Sequence, residues 1–497
     1  MEKKYILVVD EGTTGTRAML FDREMKIVGQ AYKLIQSHFP SEGSFEQDAE
    51  EIFNSSVEMC REVVRTTGID VGEIACAGVT NQRTSWVFWD KDTGKPLRNM
   101  VSWLDTRGSY QIPKWDASKE FNAIFPGLAP HLPPLYMPLI LDLLKDREPE
   151  FKARFEQGNI LYGTVDAWLV YKFTGGKVHA TVPSNASNST IYDSPTMSWV
   201  TPMLDFVGMK PEMMPEVREE SGDFGCFTAD ILGVELPILS VVADQQSALF
   251  SQGCHAEGTA KCTNGTGTFI DLNLGKTHRV VPGLTTTVAW KLDGTVNYMA
   301  EGMSNTTGAC IEWVKNNLKL FDSYDNLENE ITSVPDNGGV YFVPALNGMG
   351  IPFSDSSARA AFLGASGAAK REHFVRAAVE AVAYSGSAMF LAAQEQGVQL
   401  SEIMISGGVS KSATMAQIMA NVTGARIVRP KSVEATALGA AQLAAIYRGW
   451  LTKEDVRSMV QRYQVFTPNN QQQKYVDNYK IWLKAVDRSS HWLDNVL

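Results

Sequence analysis

Two short turns rich in glycine and threonine, one in each half of the chain, constrain the fold more than any other feature. The first, DEGTTGT at 10–16, joins the apolar runs YILVV and RAMLF, and the second, TNGTGT at 263–268, joins two further apolar runs. Apolar runs around a short turn are typical of paired strands in a buried sheet. Helical patterns alternate with strands along both halves, which predicts an α/β chain with a weak internal duplication.

The duplication suggests two domains, 1–250 and 251–497, and the length of 497 residues is consistent with that number. The first half begins with three predicted strands joined by turns. A helix follows in DAEEIFNSSVEMCREVVRTTG, with Asp48 as its N-cap and Gly68 at its end. The second half repeats strands and helices and includes a long alanine-rich helix between 370 and 397.

Charge and composition exclude several classes of partner. The net charge is −11 and the pI is about 5.3, which argues against binding nucleic acid or an acidic membrane. The N-terminal apolar run is too short for a signal peptide, and no stretch is expected to span a membrane. Six cysteines without a C-x-x-C pair indicate reduced, mostly buried thiols. We therefore expect a cytoplasmic protein without nucleic-acid or membrane partners.

The glycine and threonine turns suggest phosphate binding. Such turns expose backbone N–H groups and hydroxyls that bind anionic oxygens. Asp10, at the end of a strand, is suited to holding a hydrated Mg²⁺, and Arg17 to neutralising a phosphoryl group. D-x-G-T also serves simply to turn a hairpin, but its repetition in both halves favours phosphate. P-loop, Rossmann and protein-kinase motifs are absent, as are metal-ligand clusters of the H-E-x-x-H kind.

Three other segments carry candidate chemistry. In VVADQQSALF, Asp244 ends a strand and could accept a proton from a hydroxyl, although it could equally be the N-cap of a helix. Arg83 and Trp103 could line a small polyol pocket, or simply stack at the rim of a core. The glycines of SGGVSKS at 406–412 permit close approach to a ligand, or form a simple turn between strand and helix.

Taken together, these segments resemble the FGGY carbohydrate kinases, and within that family its glycerol-phosphorylating branch. The resemblance rests on collinear segments along nearly the whole chain, including DEGTTGTRA, TNQR, GTVDAWLVYK, ADQQSALFSQ, GTGTF and EATALGAAQLA. It implies two RNase H-like α/β domains of the actin/hexokinase superfamily, with ATP and acceptor in the cleft between them. It also implies transfer of the γ-phosphoryl group of ATP, with Mg²⁺, to a primary hydroxyl of a small polyol or sugar, glycerol being the best single choice.

The resemblance also implies a role for particular residues. Asp10 would organise Mg²⁺, and Asp244 would be the general base. The acceptor pocket would be lined by Arg83, Thr84, Trp103, Asp244, Gln245 and Phe269. Phosphate and nucleotide would be bound by Gly12, Thr13, Thr14, Arg17, Gly265, Thr266, Gly267, Gly308, Glu312, Gly407, Gly408 and Ser412. The family further suggests a homodimer or a larger homo-oligomer.

The chain departs from the glycerol-phosphorylating pattern in the predicted acceptor pocket. Thr84 stands where a glutamate is usual, Pro133 where a tyrosine is usual, with Tyr136 displaced, and Asn264 where another tyrosine is usual. Losing one hydrogen-bond acceptor for a substrate hydroxyl costs about 1–3 kcal/mol. An FGGY kinase for erythritol or a pentulose is therefore an alternative, as is an ATP-binding clamp of the actin/Hsp70 type. No counterpart of the family's fructose-bisphosphate loop is found, so that inhibition is not expected.

Overall fold

A computed structural model describes residues 2–304, 307–431 and 434–494. The chain divides into two units. The first consists of Met1–Ser251 with Val288–Val296 and Glu434–Val456, and the second of Gln252–Thr287, Asn297–Val433 and Arg457–Leu497. Two segments that the sequence placed in the second domain thus belong to the first unit. The boundary near residue 250 otherwise remains a prediction.

The central sheet of the first unit has six strands in the order β14-β15-β6-β1-β2-β3. Strands β1, β2 and β3 form the predicted antiparallel meander, while β6 and β15 continue the sheet parallel to β1. The strands before the second unit are β1 (Tyr5–Glu11), β2 (Gly15–Phe21), β3 (Ile27–Leu34), β4 (Ser37–His38), β5 (Glu46–Gln47), β6 (Ile74–Asn81), β7 (Trp86–Asp90), β8 (Met100–Val101), β9 (Ile160–Thr164), β10 (Ala180–Thr181), β11 (Tyr192–Asp193), β12 (Ser198–Trp199), β13 (Glu216–Val217), β14 (Cys226–Phe227) and β15 (Leu236–Ala243).

The first predicted helix is confirmed together with its caps. The Asp48 carboxylate accepts hydrogen bonds from the main-chain N–H groups of Glu50 and Glu51, and Gly68 ends the helix with a φ of 68°. The α-helices of this part of the chain are α1 (Ala49–Thr67), α2 (Ile112–Asp116), α3 (Lys119–Ile124), α4 (Met137–Arg147), α5 (Pro149–Gln157), α6 (Val165–Phe173), α7 (Pro183–Ala186), α8 (Thr201–Phe206), α9 (Ala229–Leu232) and α10 (Asp244–Ser251).

Most of a seven-stranded sheet, in the order β18-β19-β17-β16-β22-β23-β24, belongs to the second unit, although the segment Val288–Val296, with most of β18, is assigned to the first. Strands β16, β17 and β19 are antiparallel neighbours, and β22 and β23 run parallel to β16. The strands after residue 251 are β16 (Thr259–Asn264), β17 (Thr268–Gly275), β18 (Thr285–Leu292), β19 (Thr295–Ser304), β20 (Tyr341–Val343), β21 (Ala361–Leu363), β22 (Glu402–Ser406), β23 (Arg426–Pro430) and β24 (Arg462–Phe466). Of these, β20 and β21 pair with each other in a separate sheet.

The remaining helices are α11 (Gly308–Asn316), α12 (Tyr324–Thr332), α13 (Arg371–Glu395), α14 (Ala413–Thr423), α15 (Ala435–Tyr447), α16 (Lys453–Met459) and α17 (Gln472–Ser489). Of these, α15 belongs to the first unit, where its Ala440 carbonyl accepts a hydrogen bond from Ser240 of β15 at 2.8 Å. All six cysteines are free thiols and five of them are buried, as the sequence predicts.

Helix α13 corrects one expectation from the sequence. Within the described residues it is the one helix that passes as a membrane span on length and composition, where no such stretch was expected. However, 83% of its apolar window is buried inside the structure, as in the core helix of a folded unit. Its apolar character therefore reflects packing within the second unit.

The two sheets repeat one topology, which confirms the weak duplication seen in the sequence. The first sheet has the strand order β14-β15-β6-β1-β2-β3, and the second has the corresponding order β24-β23-β22-β16-β17-β19. Parallel and antiparallel neighbours follow one another in the same way in both sheets. The glycine and threonine turns occupy equivalent places, between β1 and β2 and between β16 and β17. The repeated turn is thus a property of a repeated fold.

Candidate functional site

Asp10 and Asp244 lie at one edge of the first sheet. Asp10 is near the end of β1, and Asp244 is the first residue of α10, directly after β15. Because β1, β6 and β15 are parallel, their carboxyl ends meet at the same edge, where ligands commonly bind in such sheets. Burial, and next the charge of Asp244, raise the pKa of Asp10 to about 7, against the opposing effect of Arg17. The two carboxylates therefore influence each other directly.

Arg83 contacts the predicted base. Its Nε lies 3.4 Å from Oδ1 of Asp244, and its Nη1 donates to Oδ1 of Asn188 at 3.3 Å. The main-chain N–H of Gln245 donates to the same Asp244 oxygen at 2.7 Å. Asp244 thus begins helix α10 and faces a partly buried arginine, while its role as a proton acceptor remains a prediction. A carboxylate held in this way is oriented before any acceptor binds.

The first glycine and threonine turn is a closed hairpin. The Gly12 N–H donates to the Gly15 carbonyl at 3.0 Å, leaving Thr13 and Thr14 at its tip. The side chain of Thr14 is exposed. Because β1 and β2 are antiparallel, Arg17 is placed directly opposite Asp10. The hairpin therefore gathers two hydroxyls, a carboxylate and a guanidinium within one short segment.

Arg17 already has a carboxylate partner. Its Nη1 donates to Oε2 of Glu434 at 2.5 Å, and its guanidinium carbon lies 5.6 Å from the centre of the Tyr32 ring. Both side chains of the ion pair are partly exposed. An incoming phosphate would therefore compete with Glu434 for Arg17, and an exposed pair of this kind contributes little to stability.

Thr84 adopts an unusual backbone conformation. Its φ is 68°, and the Ser85 N–H donates to the Arg83 carbonyl at 2.8 Å, so a γ-turn is centred on Thr84. A β-branched residue at positive φ is strained. On the two sides of this turn, Arg83 contacts Asp244, and Ser85 hydrogen-bonds with Gln82 and Trp103.

The residues at this edge are compatible with Mg²⁺. No three acidic, histidine or cysteine side chains in the described part of the chain are grouped closely enough to hold a metal by themselves. Mg²⁺, however, is usually bound by one or two carboxylates together with water and phosphate oxygens. Asp10, whose raised pKa reflects burial next to another negative charge, is a carboxylate that a cation would stabilise in its ionised form.

In the second unit, three predicted nucleotide-binding segments meet at the second turn. The Gly265 N–H donates to the Gly267 carbonyl at 2.9 Å, and the Gly308 N–H donates to the Gly265 carbonyl at 3.0 Å. A Cβ atom on Gly308 would lie 2.2 Å from that carbonyl oxygen, and one on Gly407 would lie 2.1 Å from the Asn264 carbonyl oxygen. Gly407 also has a φ of 95°. These glycines are needed for close packing of backbone on backbone.

The other predicted residues of the second unit have the following positions. Thr266 lies within the turn, and its carbonyl accepts hydrogen bonds from the N–H groups of Thr307 and Ala309. Glu312 is on α11, and Gly408 immediately follows Gly407. Ser412 is the N-cap of α14 and donates to Glu328 at 2.6 Å, so its hydroxyl already has structural partners. Phe269 is on β17 and is 38% exposed. The roles of all these residues remain predictions.

Some residues that surround the site could not be found from sequence patterns. Gln47, Gln82 and Ser85 hydrogen-bond with one another close to the first turn, and Asn188 contacts Arg83. Single polar residues in loops carry no periodic signal, so they are recognised only by what they contact. The displaced Tyr136 is buried in an apolar cluster and Pro133 is exposed, so Tyr136 packs in a core.

Comparison with known proteins identifies the family. The N-terminal domain model of the FGGY family of carbohydrate kinases matches residues 5–251, and its C-terminal domain model matches residues 260–447. The chain belongs to the FGGY family of carbohydrate kinases. Members of this family are phosphotransferases that use ATP with Mg²⁺ and have domains of the actin/hexokinase type. The predicted fold class and the ATP and Mg²⁺ requirement are thereby confirmed for this kinase.

The similarity of this FGGY kinase to its relatives covers nearly the whole chain. It is 38% identical to a glycerol kinase of Trichodesmium erythraeum, with 99% of each chain covered, and 38% identical to one of Clostridium beijerinckii, again with 99% of each covered. The crystal structure of Plasmodium falciparum glycerol kinase with ADP matches at a TM-score of 0.90 and 28% identity, covering 98% of this chain and 99% of that one. A ligand-bound xylulose kinase of Lactobacillus acidophilus, 21% identical, shares the fold at a TM-score of 0.84.

Proposed function

We propose that this kinase transfers the γ-phosphoryl group of ATP to a primary hydroxyl of a small polyol, with glycerol as its principal acceptor. The observation that carries the proposal is the contact between Arg83 and Asp244 beside Asp10 and the first turn. A guanidinium and a carboxylate so placed bind a hydroxyl and accept its proton. The glycerol kinases that resemble the chain over its full length support glycerol in particular.

In the proposed reaction, Asp244 accepts the proton of the acceptor hydroxyl as the oxygen attacks the γ-phosphorus. The new O–P bond forms as the bond to the leaving ADP breaks, and the negative charge passes to the ADP oxygen. Asp10 would hold Mg²⁺, which when bound neutralises charge on the phosphate oxygens. The N–H groups and hydroxyls of the first turn donate to those oxygens, and Arg17 exchanges Glu434 for phosphate.

A different small acceptor is the second candidate, and Thr84 is the observation that favours it. Thr84 offers a neutral hydroxyl where glycerol-phosphorylating relatives usually carry a carboxylate, and its γ-turn fixes it next to Arg83. A pocket with one acceptor group fewer suits a substrate whose hydroxyls are arranged differently. Erythritol and pentuloses are the acceptors to compare. The family assignment favours either kinase over an actin/Hsp70-type clamp.

The decisive experiment measures ADP release with Mg²⁺ and ATP in the presence of glycerol, erythritol, pentuloses and aldohexoses. We expect glycerol to give the highest kcat/KM, with little ADP release when no acceptor is present. A higher kcat/KM for another polyol or ketose would replace glycerol as the acceptor and leave the kinase assignment in place. ADP release that no acceptor changes would contradict the kinase proposal itself.

We further propose that the enzyme acts in the cytoplasm as a homodimer or larger homo-oligomer. The acidic charge and the six free thiols support a reducing compartment and no nucleic-acid partner. The family resemblance supports self-association. Light scattering coupled to size-exclusion chromatography measures the mass in solution, and a single species of 54.7 kDa would contradict the oligomer.

A further inference from the structure

A closed ring of hydrogen bonds joins the first turn to Trp103. The Trp103 Nε1–H donates to Oγ1 of Thr13 at 2.9 Å, and the Trp103 main-chain N–H donates to Oγ of Ser85 at 3.1 Å. Ser85 Oγ donates to Oε1 of Gln82 at 3.1 Å, and Gln82 Nε2 donates to Oε1 of Gln47 at 2.8 Å. Gln47 Nε2 then donates to the Thr13 carbonyl at 2.8 Å. All five residues belong to the first unit.

Every donation in the ring leads from Trp103 towards Thr13. Both branches begin with an N–H group of Trp103 and end on Thr13, one on its hydroxyl oxygen and the other on its carbonyl. The side chains of Gln47, Gln82 and Ser85 are buried, so the two hydrogen bonds among them are shielded from water. Hydrogen bonds arranged head to tail in a buried site polarise one another, and breaking one leaves buried polar groups without partners.

The direction of the hydrogen bond from Trp103 to Thr13 leaves the Thr13 hydroxyl proton available. An indole N–H can only donate, so Trp103 uses a lone pair of the Thr13 oxygen and leaves the hydroxyl proton for another acceptor. Among the described residues, no protein group accepts that proton in a hydrogen bond. The hydroxyl is therefore prepared to donate to an anionic oxygen, which is what a phosphate at the first turn would supply.

We propose that Trp103, Ser85, Gln82 and Gln47 are positioning residues that couple acceptor binding to phosphate binding. Trp103 is half-buried, so part of its surface remains available to a ligand while its N–H holds Thr13. An acceptor packed on Trp103 restricts the indole, and through it the Thr13 hydroxyl. Conversely, a phosphate on Thr13 restricts the indole. Each ligand then raises the binding affinity of the other by the same factor, because coupling between two sites is reciprocal.

This inference rests on the proposed function, and the first measurement tests both. The dissociation constant of glycerol is measured by calorimetry with and without a non-hydrolysable ATP analogue and Mg²⁺, and ADP release is measured alongside. For the unmodified enzyme we expect glycerol to stimulate ADP release, and we expect the analogue to lower the dissociation constant of glycerol about fivefold or more. If another acceptor proves preferred in the ADP-release comparison, it replaces glycerol here.

Three variants separate coupling from folding. Gln47→Met and Gln82→Met keep the length of the side chain and remove its amide, and Trp103→Phe keeps an aromatic wall without the N–H donor. We expect each to reduce the coupling factor to within about twofold of unity. In the two glutamine variants, acceptor affinity in the absence of nucleotide should be nearly unchanged. Gln157→Met, an exposed position at the end of α5, is the matched control and should retain full coupling.

The outcomes distinguish the two proposals. An enzyme without acceptor-stimulated ADP release contradicts the proposed function, and the coupling proposal with it. An active enzyme that shows no coupling, or whose Gln47→Met and Trp103→Phe variants are folded by circular dichroism and keep the full coupling factor, contradicts the positioning role alone. Thr13→Ser against Thr13→Val supplies the rescue test, because serine retains the hydroxyl oxygen and valine does not. Coupling that Thr13→Val retains also overturns the inference.

Discussion

Replacing Asp244 by asparagine tests the proposed base with almost no change in shape. The substitution removes the proton acceptor but keeps an oxygen that can face Arg83, which lies 3.4 Å from the carboxylate. Loss of a positioned general base lowers turnover by about 100- to 10,000-fold, or roughly 3–5 kcal/mol of activation free energy. We expect the upper part of this range, because the neighbouring carboxylate, Asp10, would be engaged with Mg²⁺ and could not replace the base.

The same substitution should change Asp10. The charge of Asp244 is the second cause, after burial, of the raised pKa of Asp10, so in Asp244→Asn that pKa should fall below its present value of about 7. Protonation of Asp10 competes with Mg²⁺. The Mg²⁺-dependent nucleotide affinity should therefore fall as the pH is lowered, and the midpoint of that fall should lie at a lower pH in the variant than in the unmodified enzyme.

Two assays decide the outcome. Coupled ADP release gives kcat, and calorimetry with a non-hydrolysable ATP analogue and Mg²⁺ gives nucleotide affinity from about pH 5 to about pH 8.5. Asp205→Asn, an exposed position on α8, is the control and should change neither. Turnover reduced less than tenfold, loss of nucleotide binding, or an unmoved pH midpoint would refute the reasoning.

Three further changes have defined outcomes. Burial raises the pKa of Glu220 to about 7 from an ordinary 4.5, so the stability that this group contributes is complete below pH 4.5 and is lost as the pH rises through 7. The free energy of unfolding measured in urea should fall by roughly 3 kcal/mol over that pH range, and by less in Glu220→Gln. Thr84→Gly relieves a positive φ and should raise the melting temperature of the first unit in calorimetry, whereas Thr84→Ala should raise it less. Gly407→Ala should weaken binding of a fluorescent nucleotide at least tenfold because its Cβ would lie 2.1 Å from a carbonyl oxygen, whereas Gly408→Ala, with nothing within 4 Å, should fold normally.

Periodic and local features of the fold were predictable from the sequence. The apolar runs around each glycine and threonine turn formed the expected hairpins, and Asp48 and Gly68 capped α1 as predicted. Such features depend on neighbours a few residues apart, so their physical causes are contained in a short segment. The same holds for the repeat, which appeared first as two similar turns and then as two sheets with one strand order.

Contacts between distant segments were not predictable in this way. The sequence contained Arg83, Trp103 and Asp244 as candidates, but it could not indicate that Arg83 pairs with Asp244 or that Trp103 donates to Thr13. Nor could it assign Val288–Val296 and Glu434–Val456 to the first unit. Each of these depends on strand order and on loop paths, which are settled only when the whole unit packs.

The sequence by itself therefore determined the elements, the repeated sheet and the chemical types of residue at the strand ends. Only the tertiary structure decided which residues meet. Asp10 lies close enough to Asp244 for its pKa to rise, Arg17 donates to Glu434, and Gln82 donates to Gln47. The physical reason is that secondary structure follows from local periodicity and capping, whereas a site depends on side-chain distances set by long-range packing.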